Sequence, residues 1–243
     1  MTISIIIPAR YGSSRYRGKP LVKILGKEMV IRVADICSKI KDVNVYIATD
    51  SKKIANVVKK YGYNYIFTSS SCLTGTDRVA EASKKIRSKI YINVQGDEPT
   101  INPKDIKKVI DMKKKFPNHV VCGYTKVHDF ENPSNINLPK VVVNSKGELI
   151  YISRALVPGK KKNSQKIQYH KQVCIYAFNK KQLNKFYSMK KKSETESSED
   201  IEILRFFDLN EKIKMAKLNS NSVAVDEITD VKKAEKLLLK KNI

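Results

Sequence analysis

The fold is decided near the start of the sequence, by ISIIIPA at positions 3–9 and RYGSSRYRGKPL at positions 10–21. The β-branched run at 3–7 is typical of a buried strand. The following loop carries two glycines and four cations: Arg10, Arg15, Arg17 and Lys19. Such a loop, at the carboxyl end of a buried strand, places backbone N–H groups and cations around one concavity, which suits a triphosphate. It matches neither standard glycine-rich phosphate fingerprint, and a basic surface loop is the alternative.

Downstream, short β-branched runs alternate with amphipathic helical stretches, which predicts an α/β fold with a mostly parallel, Rossmann-like sheet and helices on both faces. Strands are predicted at 3–7, 45–48, 65–67 and 91–94, and helices at 29–40, 52–61, 77–86 and 103–116. After position 120 the pattern loosens. Mixed strands at 120–126, 140–143 and 173–178 predict a smaller inserted lobe.

Polar segments divide the second half of the chain. Residues 158–168 and 190–198 are predicted as loops, the first of them mobile, with a helix beginning near Glu199 and a closing amphipathic helix at 231–241. We expect a single domain, with a first half at 1–120, an inserted lobe at 121–225 and a closing helix at 226–243.

Composition limits the classes of function. The 243 residues carry a formal net charge of +24, which would attract nucleic acid, an anionic membrane or a polyphosphate substrate. Lysines are spread over almost every predicted helix surface instead of forming one stripe with aromatics, so a nucleic-acid-binding protein is the remote alternative. The start has no basic leader and no apolar run reaches membrane-spanning length, which predicts a cytoplasmic protein. Four single cysteines are expected to be reduced thiols: Cys37, Cys72, Cys122 and Cys174.

Two carboxylates are candidates for a metal site. Asp97 follows the predicted strand at 91–94 within QGDEP, where it could hold Mg²⁺ or cap the helix that begins after Asn102. Asp226 follows the apolar run at 223–225, which we interpret as a strand end. Two carboxylates together with phosphate oxygens are what Mg²⁺ typically uses.

Several motifs together resemble the 3-deoxy-manno-octulosonate cytidylyltransferase (CMP-Kdo synthetase) family. They are IIPARYGSSR at 6–15 with GKPL at 18–21, ATD at 48–50, GTDR at 75–78 and NVQGDEP at 93–99, with sparser agreement as far as Asp226. The resemblance implies a homodimeric α/β nucleotidyltransferase that uses CTP and magnesium. In that reaction the anomeric hydroxyl of an ulosonic acid attacks the α-phosphorus of CTP, and pyrophosphate leaves.

The resemblance also implies that 1–120 is the nucleotide-binding half, that 121–225 is the sugar-binding and dimerisation lobe, and that particular residues carry the following roles. Catalytic residues are Lys19, Arg10 and Asp97, and the metal ligands are Asp97 and Asp226. Nucleotide-binding residues are Ala9, Arg10, Gly12, Ser13, Arg15, Lys19, Thr76, Arg78 and Gln95. Sugar-binding residues are Gln95, Arg154, Gln172, Tyr176 and Glu202.

The sequence departs from the family pattern mainly on the sugar side. Gln172 stands where the family has histidine, and a neutral amide cannot reproduce an imidazole's charge options. The segment at 224–230 keeps Asp226 but loses a proline, and Thr74 replaces a serine. The reaction is therefore expected to be kept, while the acceptor stays open between Kdo, an 8-amino-Kdo and another ulosonic acid.

Overall fold

The computed structural model describes residues 1–12, 16–162, 164 and 166–240. The strands are β1 (Ile3–Ala9), β2 (Lys23–Ile24), β3 (Lys27–Glu28), β4 (Asn44–Thr49), β5 (Asn64–Phe67), β6 (Ile90–Val94), β7 (Val120–Lys126), β8 (Lys140–Val143), β9 (Leu149–Ser153), β10 (His170–Phe178) and β11 (Ile213–Lys217). The helices are α1 (Met29–Ser38), α2 (Lys52–Lys60), α3 (Gly75–Ser83), α4 (Pro103–Lys115), α5 (Lys180–Ser188), α6 (Glu194–Glu199), α7 (Arg205–Asp208) and α8 (Ile228–Lys240). Residues Lys19–Leu21 and Glu202–Leu204 form 3₁₀ turns.

The main sheet has the strand order β11-β7-β10-β6-β1-β4-β5, with β8 and β9 attached beside β10. Strands β6, β1, β4 and β5 are parallel neighbours, and β11 is parallel to β7. Strand β10 runs antiparallel to both β6 and β7. The carboxyl ends of β1, β4, β5 and β6 therefore lie along one edge, where ligands bind in open α/β sheets.

Alternating residues of the strands pack into two cores, one on each face of the sheet. Ile5 and Ile7 of β1 pack with buried residues of α1, α2 and α4, whereas Ile6 packs with α3, α5 and the residues that precede and form α7. This arrangement follows from the period-two geometry of a strand. The predicted α/β sheet, with helices on both faces, is confirmed.

Each of the eight elements predicted in the first half lies within three residues of its predicted bounds. The closing helix is also present, three residues longer at its start, and α8 packs through Ala234 and Leu238 against Ile24 and Met29. The described cysteines are free thiols, as expected. No helix in the described ranges is long and apolar enough to cross a bilayer.

Two predictions for the second half were wrong. The segment at 190–198 is not all loop, because Ser193 and Glu196 form a capping box that starts α6 at Glu194, so this helix ends where one was expected to begin. The run at 223–225 is not a strand; it is held by hydrogen bonds to the loop after β6. Strands β9 and β11 and helix α5 were not predicted.

Candidate active site

The loop after β1 is closed by a backbone hydrogen bond immediately before Lys19. The backbone N–H of Gly18 donates to the carbonyl of Tyr11 (2.9 Å), and the N–H of Tyr11 donates to Asp50 at the end of β4 (3.4 Å). Gly18 has φ +75°, a left-handed conformation that favours glycine, and it leads directly into the Lys19–Leu21 turn. Ser13 and Arg15, both predicted to bind nucleotide, lie outside the described residues.

A pocket opens at the carboxyl edge of the sheet, bounded by the ends of β1 and β6, the loop before α3, the start of α1 and the segment before α8. Its lining residues are Pro8, Ala9, Arg10, Lys19, Pro20, Met29, Cys72, Leu73, Thr74, Gly75, Arg78, Gln95, Gly96, Asp97 and Asp226. The prediction that residues following β1 and β6 converge here is confirmed.

Lys19 is shared by two carboxylates at the floor of this pocket. Its Nζ donates to Oδ2 of Asp97 (2.7 Å) and to Oδ1 of Asp226 (3.3 Å). Burial alone would lower the pKa of Lys19, but the two carboxylates outweigh it and raise the pKa above its ordinary value. Lys19 therefore stays cationic at neutral pH, and Asp97 and Asp226 are brought within reach of one cation.

Asp226 is held beside Lys19 by a non-strand segment. The N–H of Val225 donates to the carbonyl of Asp97 (2.9 Å), and the N–H of Val223 donates to Oγ1 of Thr100 (2.9 Å). Below them Ser222 donates to the buried carboxylate of Glu98 (2.6 Å). The loop after β6 thus carries one acid and fastens the segment that supplies the other. Burial raises the pKa of Glu98.

The N-terminal turn of α3 forms one wall of the pocket. Thr74 caps the helix: its hydroxyl accepts from the N–H of Asp77 (3.1 Å), while the Asp77 carboxylate accepts from the N–H of Thr74 (3.0 Å). One turn on, Arg78 is almost fully buried and donates to Thr68 (2.6 Å) and Asp50 (3.0 Å). Arg78 is therefore a fixed cation beside the pocket.

Glu202 connects this wall to β6. Its carboxylate accepts from the N–H of Thr76 (2.9 Å) and from Nε2 of Gln95 (2.9 Å). Burial raises the pKa of Glu202, against the opposing effect of the hydrogen bonds from Thr76. A Cβ built on Gly75 would lie 2.7 Å from Nε2 of Gln95, so the Gln95 amide is packed directly on the glycine.

Two other predicted sugar-binding residues lie on β10. Gln172 donates through Nε2 to the hydroxyl of Tyr176 (3.2 Å). Tyr176 is buried opposite Asn93 of β6, and its pKa is raised well above the ordinary value, first by burial and then in part by the nearby Glu202. Gln172, Tyr176 and Glu202 therefore belong to one region, next to Gln95.

Known proteins of similar sequence and structure identify the family of this chain. A family model described as cytidylyltransferase matches residues 4–213. A mitochondrial 3-deoxy-manno-octulosonate cytidylyltransferase of Arabidopsis thaliana is 36% identical over 244 residues, which covers 98% of this chain and 83% of the relative. The chain belongs to the 3-deoxy-manno-octulosonate cytidylyltransferase family. It is accordingly a nucleotidyltransferase.

Two further relatives of this cytidylyltransferase differ in their acceptor names. An 8-amino-3,8-dideoxy-manno-octulosonate cytidylyltransferase of Shewanella sp. (strain W3-18-1) is 35% identical, over 98% of this chain and 99% of the relative. A solved CMP:2-keto-3-deoxy-manno-octonic acid synthetase, complexed with CTP, has a TM-score of 0.91 and 33% identity, over 99% of this chain and all of that one. The fold, the family and the reaction class predicted from the sequence are confirmed.

Twelve of the fifteen predicted site residues fall into three groups. Seven of the predicted residues line the pocket: Ala9, Arg10, Lys19, Arg78, Gln95, Asp97 and Asp226. Thr76, Glu202, Tyr176 and Gln172 lie in the hydrogen-bonded layer beside it, and Gly12 is exposed in the loop after β1.

Arg154 is the predicted residue that this structure places differently. Its guanidinium donates to three backbone carbonyls, those of Glu199 (2.6 Å), Ile136 (2.9 Å) and Asp200 (3.0 Å). It therefore fastens the end of α6 in this conformation and does not line the pocket.

Cys72, Leu73 and Met29 line the pocket without having been predicted. Their residue types carry no chemical signal. Only the position of Cys72 and Leu73, separated from the GTDR motif by Thr74 alone, could have indicated those two.

Proposed function

We propose that this chain transfers CMP from CTP to the anomeric hydroxyl of Kdo, with 8-amino-Kdo or another ulosonic acid as the alternative acceptor. The observation that carries the proposal is the grouping of Lys19, Asp97 and Asp226 at the floor of a pocket whose wall bears Arg10 and Arg78. Three cations suit a triphosphate, and two carboxylates suit the cation that accompanies it.

The transfer asks mainly for positioning and charge neutralisation. The acceptor's anomeric oxygen forms a bond to the α-phosphorus, and its hydroxyl proton passes to water. The α–β phosphoanhydride bond breaks, and its electron pair leaves with pyrophosphate. Lys19, cationic at neutral pH, and Arg10, at the pocket rim, are the groups available to stabilise the charge that develops on the leaving group.

We propose that the site binds magnesium, and the oxygen donors present fit this ion. Asp97 and Asp226 both reach the same ammonium, so their oxygens converge on one point. No group of three or more His, Cys, Asp and Glu side chains within the described ranges could hold a metal ion. Asp97 and Asp226 would thus hold Mg²⁺ with phosphate and water as the other ligands. When bound, the ion supplies neutralisation of phosphate charge and acidification of a coordinated hydroxyl.

On the acceptor side, we propose contact with Gln95, Glu202, Tyr176 and Gln172. Glu202 already accepts from two donors, which fixes the amide of Gln95 at the boundary between the CTP pocket and β10. The hydroxyl of Tyr176 and the amide of Gln172 add neutral hydrogen-bonding groups. Such groups suit the hydroxyls of a sugar.

The decisive experiment measures pyrophosphate release from CTP and Mg²⁺ with each of three acceptors: Kdo, 8-amino-Kdo and N-acetylneuraminic acid. Turnover with Kdo is expected, and it should be lost in Lys19→Met and Asp97→Asn. Lys23→Met, an exposed lysine on β2, is the matched control and should turn over like wild type. An inert Kdo with rapid use of another acid would overturn the Kdo assignment, and no turnover with any acid would overturn the function.

We also propose a homodimer that buries the outer surface of the inserted lobe. Five large apolar side chains are exposed between positions 130 and 156: Phe130, Ile136, Ile150, Tyr151 and Leu156. Contiguous exposed apolar surface is typical of a protein–protein contact, and we propose that these side chains contribute to one. Sedimentation should give about twice the 27.7 kDa chain mass, falling to one chain in Ile150→Asp/Phe130→Asp. A monomeric wild type at micromolar concentration would contradict this proposal.

A further inference from the structure

A buried ion cluster lies directly behind the α3 wall of the pocket. Arg205, with no exposed surface, donates from Nη1 and Nη2 to the two oxygens of Asp77 (2.8 and 3.1 Å). Its Nε and Nη2 donate to the two oxygens of Glu196 (2.5 and 2.8 Å), and its guanidinium lies 3.8 Å from the ring centre of Phe186. One guanidinium therefore joins α3, α6 and α5.

This cluster is one side chain away from the nucleotide pocket. Asp77, which Arg205 holds in a bidentate pair, is the residue whose carboxylate also accepts from the N–H and the hydroxyl of Thr74 (3.0 and 2.8 Å). Thr74 and Gly75 line the pocket. A shift of the Asp77 carboxylate would therefore move the cap of α3, and with it the wall that the nucleotide meets.

The same short segment holds the wall at a second point. Glu202, three residues before Arg205, accepts from the N–H of Thr76 and from Gln95. Residues 202–205 thus contact the turn at 74–77 at two points, through the Glu202 carboxylate and through the Arg205 guanidinium. Two buried carboxylates, Asp77 and Glu196, would repel each other without the cation between them.

We propose that Arg205 is a positioning residue for CTP. Through Asp77 it fixes the Thr74–Gly75 wall in the conformation that receives the nucleotide, and it touches no substrate itself. Only arginine satisfies two carboxylates through a planar fork, so lysine is a partial replacement and methionine is none. The inference rests on the proposed function, since it takes CTP as the occupant of the pocket.

The test compares Arg205→Lys and Arg205→Met with wild type in CTP affinity by calorimetry, in kcat and KM for CTP, and in thermal unfolding. Because a small misplacement of a binding wall costs up to about 100-fold, Arg205→Met is expected to lower kcat/KM for CTP by about 10- to 100-fold, mostly through a raised KM. Arg205→Lys should recover part of this loss.

Val58→Ala is the control for lost stability alone. Val58 is fully buried on α2 in the opposite core, so its truncation lowers the unfolding temperature without touching the α3 wall. It should leave the CTP dissociation constant unchanged. If Arg205→Met binds CTP within twofold of wild type at a similar loss of unfolding temperature, Arg205 is structural only and the inference is wrong.

A second variant keeps the test decisive if Arg205→Met does not fold. Asp77→Asn keeps the shape of the cap but weakens the pair with Arg205, and it should also raise KM for CTP. Combined with Arg205→Lys, it should cost less than the product of the two single losses, because both act through one contact. Fully multiplicative losses would refute the link, whereas failure of wild type to bind CTP would instead refute the proposed function.

Discussion

Gly75→Ala is predicted to impair the enzyme through Gln95. The added methyl group would lie 3.0 Å from Oε1 of Gln95, a tight contact, and 2.7 Å from Nε2, which is closer than real Cβ contacts allow. Both atoms are at the far end of a flexible side chain, so the amide moves and the backbone does not. Its 2.9 Å hydrogen bond to Glu202 is then lost.

The size of the effect follows from that bond. A hydrogen bond to a charged group contributes about 1.5–3 kcal/mol, and about 1.4 kcal/mol corresponds to a factor of ten. The productive position of Gln95 should therefore become less populated by roughly 10- to 150-fold, with a matching fall in kcat/KM for the acceptor. Stability should fall less, because alanine at the first position of α3 offsets about 0.4–1 kcal/mol of the lost bond.

The assay is the initial rate of pyrophosphate release over a range of acceptor concentrations, together with urea unfolding. Gly159→Ala is the matched control, since a Cβ at Gly159 meets nothing within 4 Å. Adding Gly75→Ala to Gln95→Ala should cause no further loss if the methyl acts only through Gln95. A kcat/KM for Gly75→Ala within twofold of wild type, in a folded protein, would refute the reasoning.

Three other predictions follow from the site and its supports. Lys19→Met leaves Asp97 and Asp226 without their shared cation and should lower kcat by about 10²–10³-fold with unchanged circular dichroism; a loss below tenfold would contradict it. Ser222→Ala removes a hydrogen-bond donor to the buried Glu98 and should lower the free energy of unfolding in urea by about 1–3 kcal/mol. Equal stability would argue against the Ser222–Glu98 contact as a support of this segment. Burial lowers the pKa of Lys113 from 10.5 to about 7, so above pH 7 the unfolded chain binds the extra proton and stability rises with pH. The free energy of unfolding of wild type, relative to that of Lys113→Met, should rise by up to about 1.4 kcal/mol per pH unit between pH 7.5 and 9. Parallel curves of stability against pH for the two proteins would disprove this.

The nucleotide side of the site could be predicted from the sequence because it depends on local rules. Residues that follow β1 and β6 meet at the carboxyl edge of the sheet, so topology together with the family resemblance predicted that Lys19 and Asp97 lie there. The glycines and cations of the loop at 10–21 predict a phosphate site there in the same way.

The rest depends on tertiary contacts that no local pattern carries. Asp226 was expected at a strand end but is held by Val225 and Val223 against the loop after β6. Arg154 has the charge of a sugar ligand, yet three carbonyls take its guanidinium. In each case the partner of the side chain or of its segment is set by residues far away in sequence.

The acceptor side differs from the nucleotide side in how it is assembled. Gln95 and Glu202 are 107 positions apart and Thr76 and Glu202 are 126 apart, so hydrogen bonds between distant segments build this region. If Gln172 contacts the acceptor as proposed, a substitution there changes the groups offered to the sugar and leaves β1 and the Lys19 cluster unchanged. A family can therefore keep CMP transfer fixed while its acceptor changes, and this is consistent with relatives of nearly equal identity being named for Kdo and for its 8-amino counterpart. The test applies the acceptor panel to wild type and to Gln172→His. If β10 sets the acceptor, the histidine variant should alter the ratio of kcat/KM for Kdo to kcat/KM for 8-amino-Kdo and leave KM for CTP unchanged. An unaltered ratio would assign acceptor choice to Gln95 and Glu202 instead.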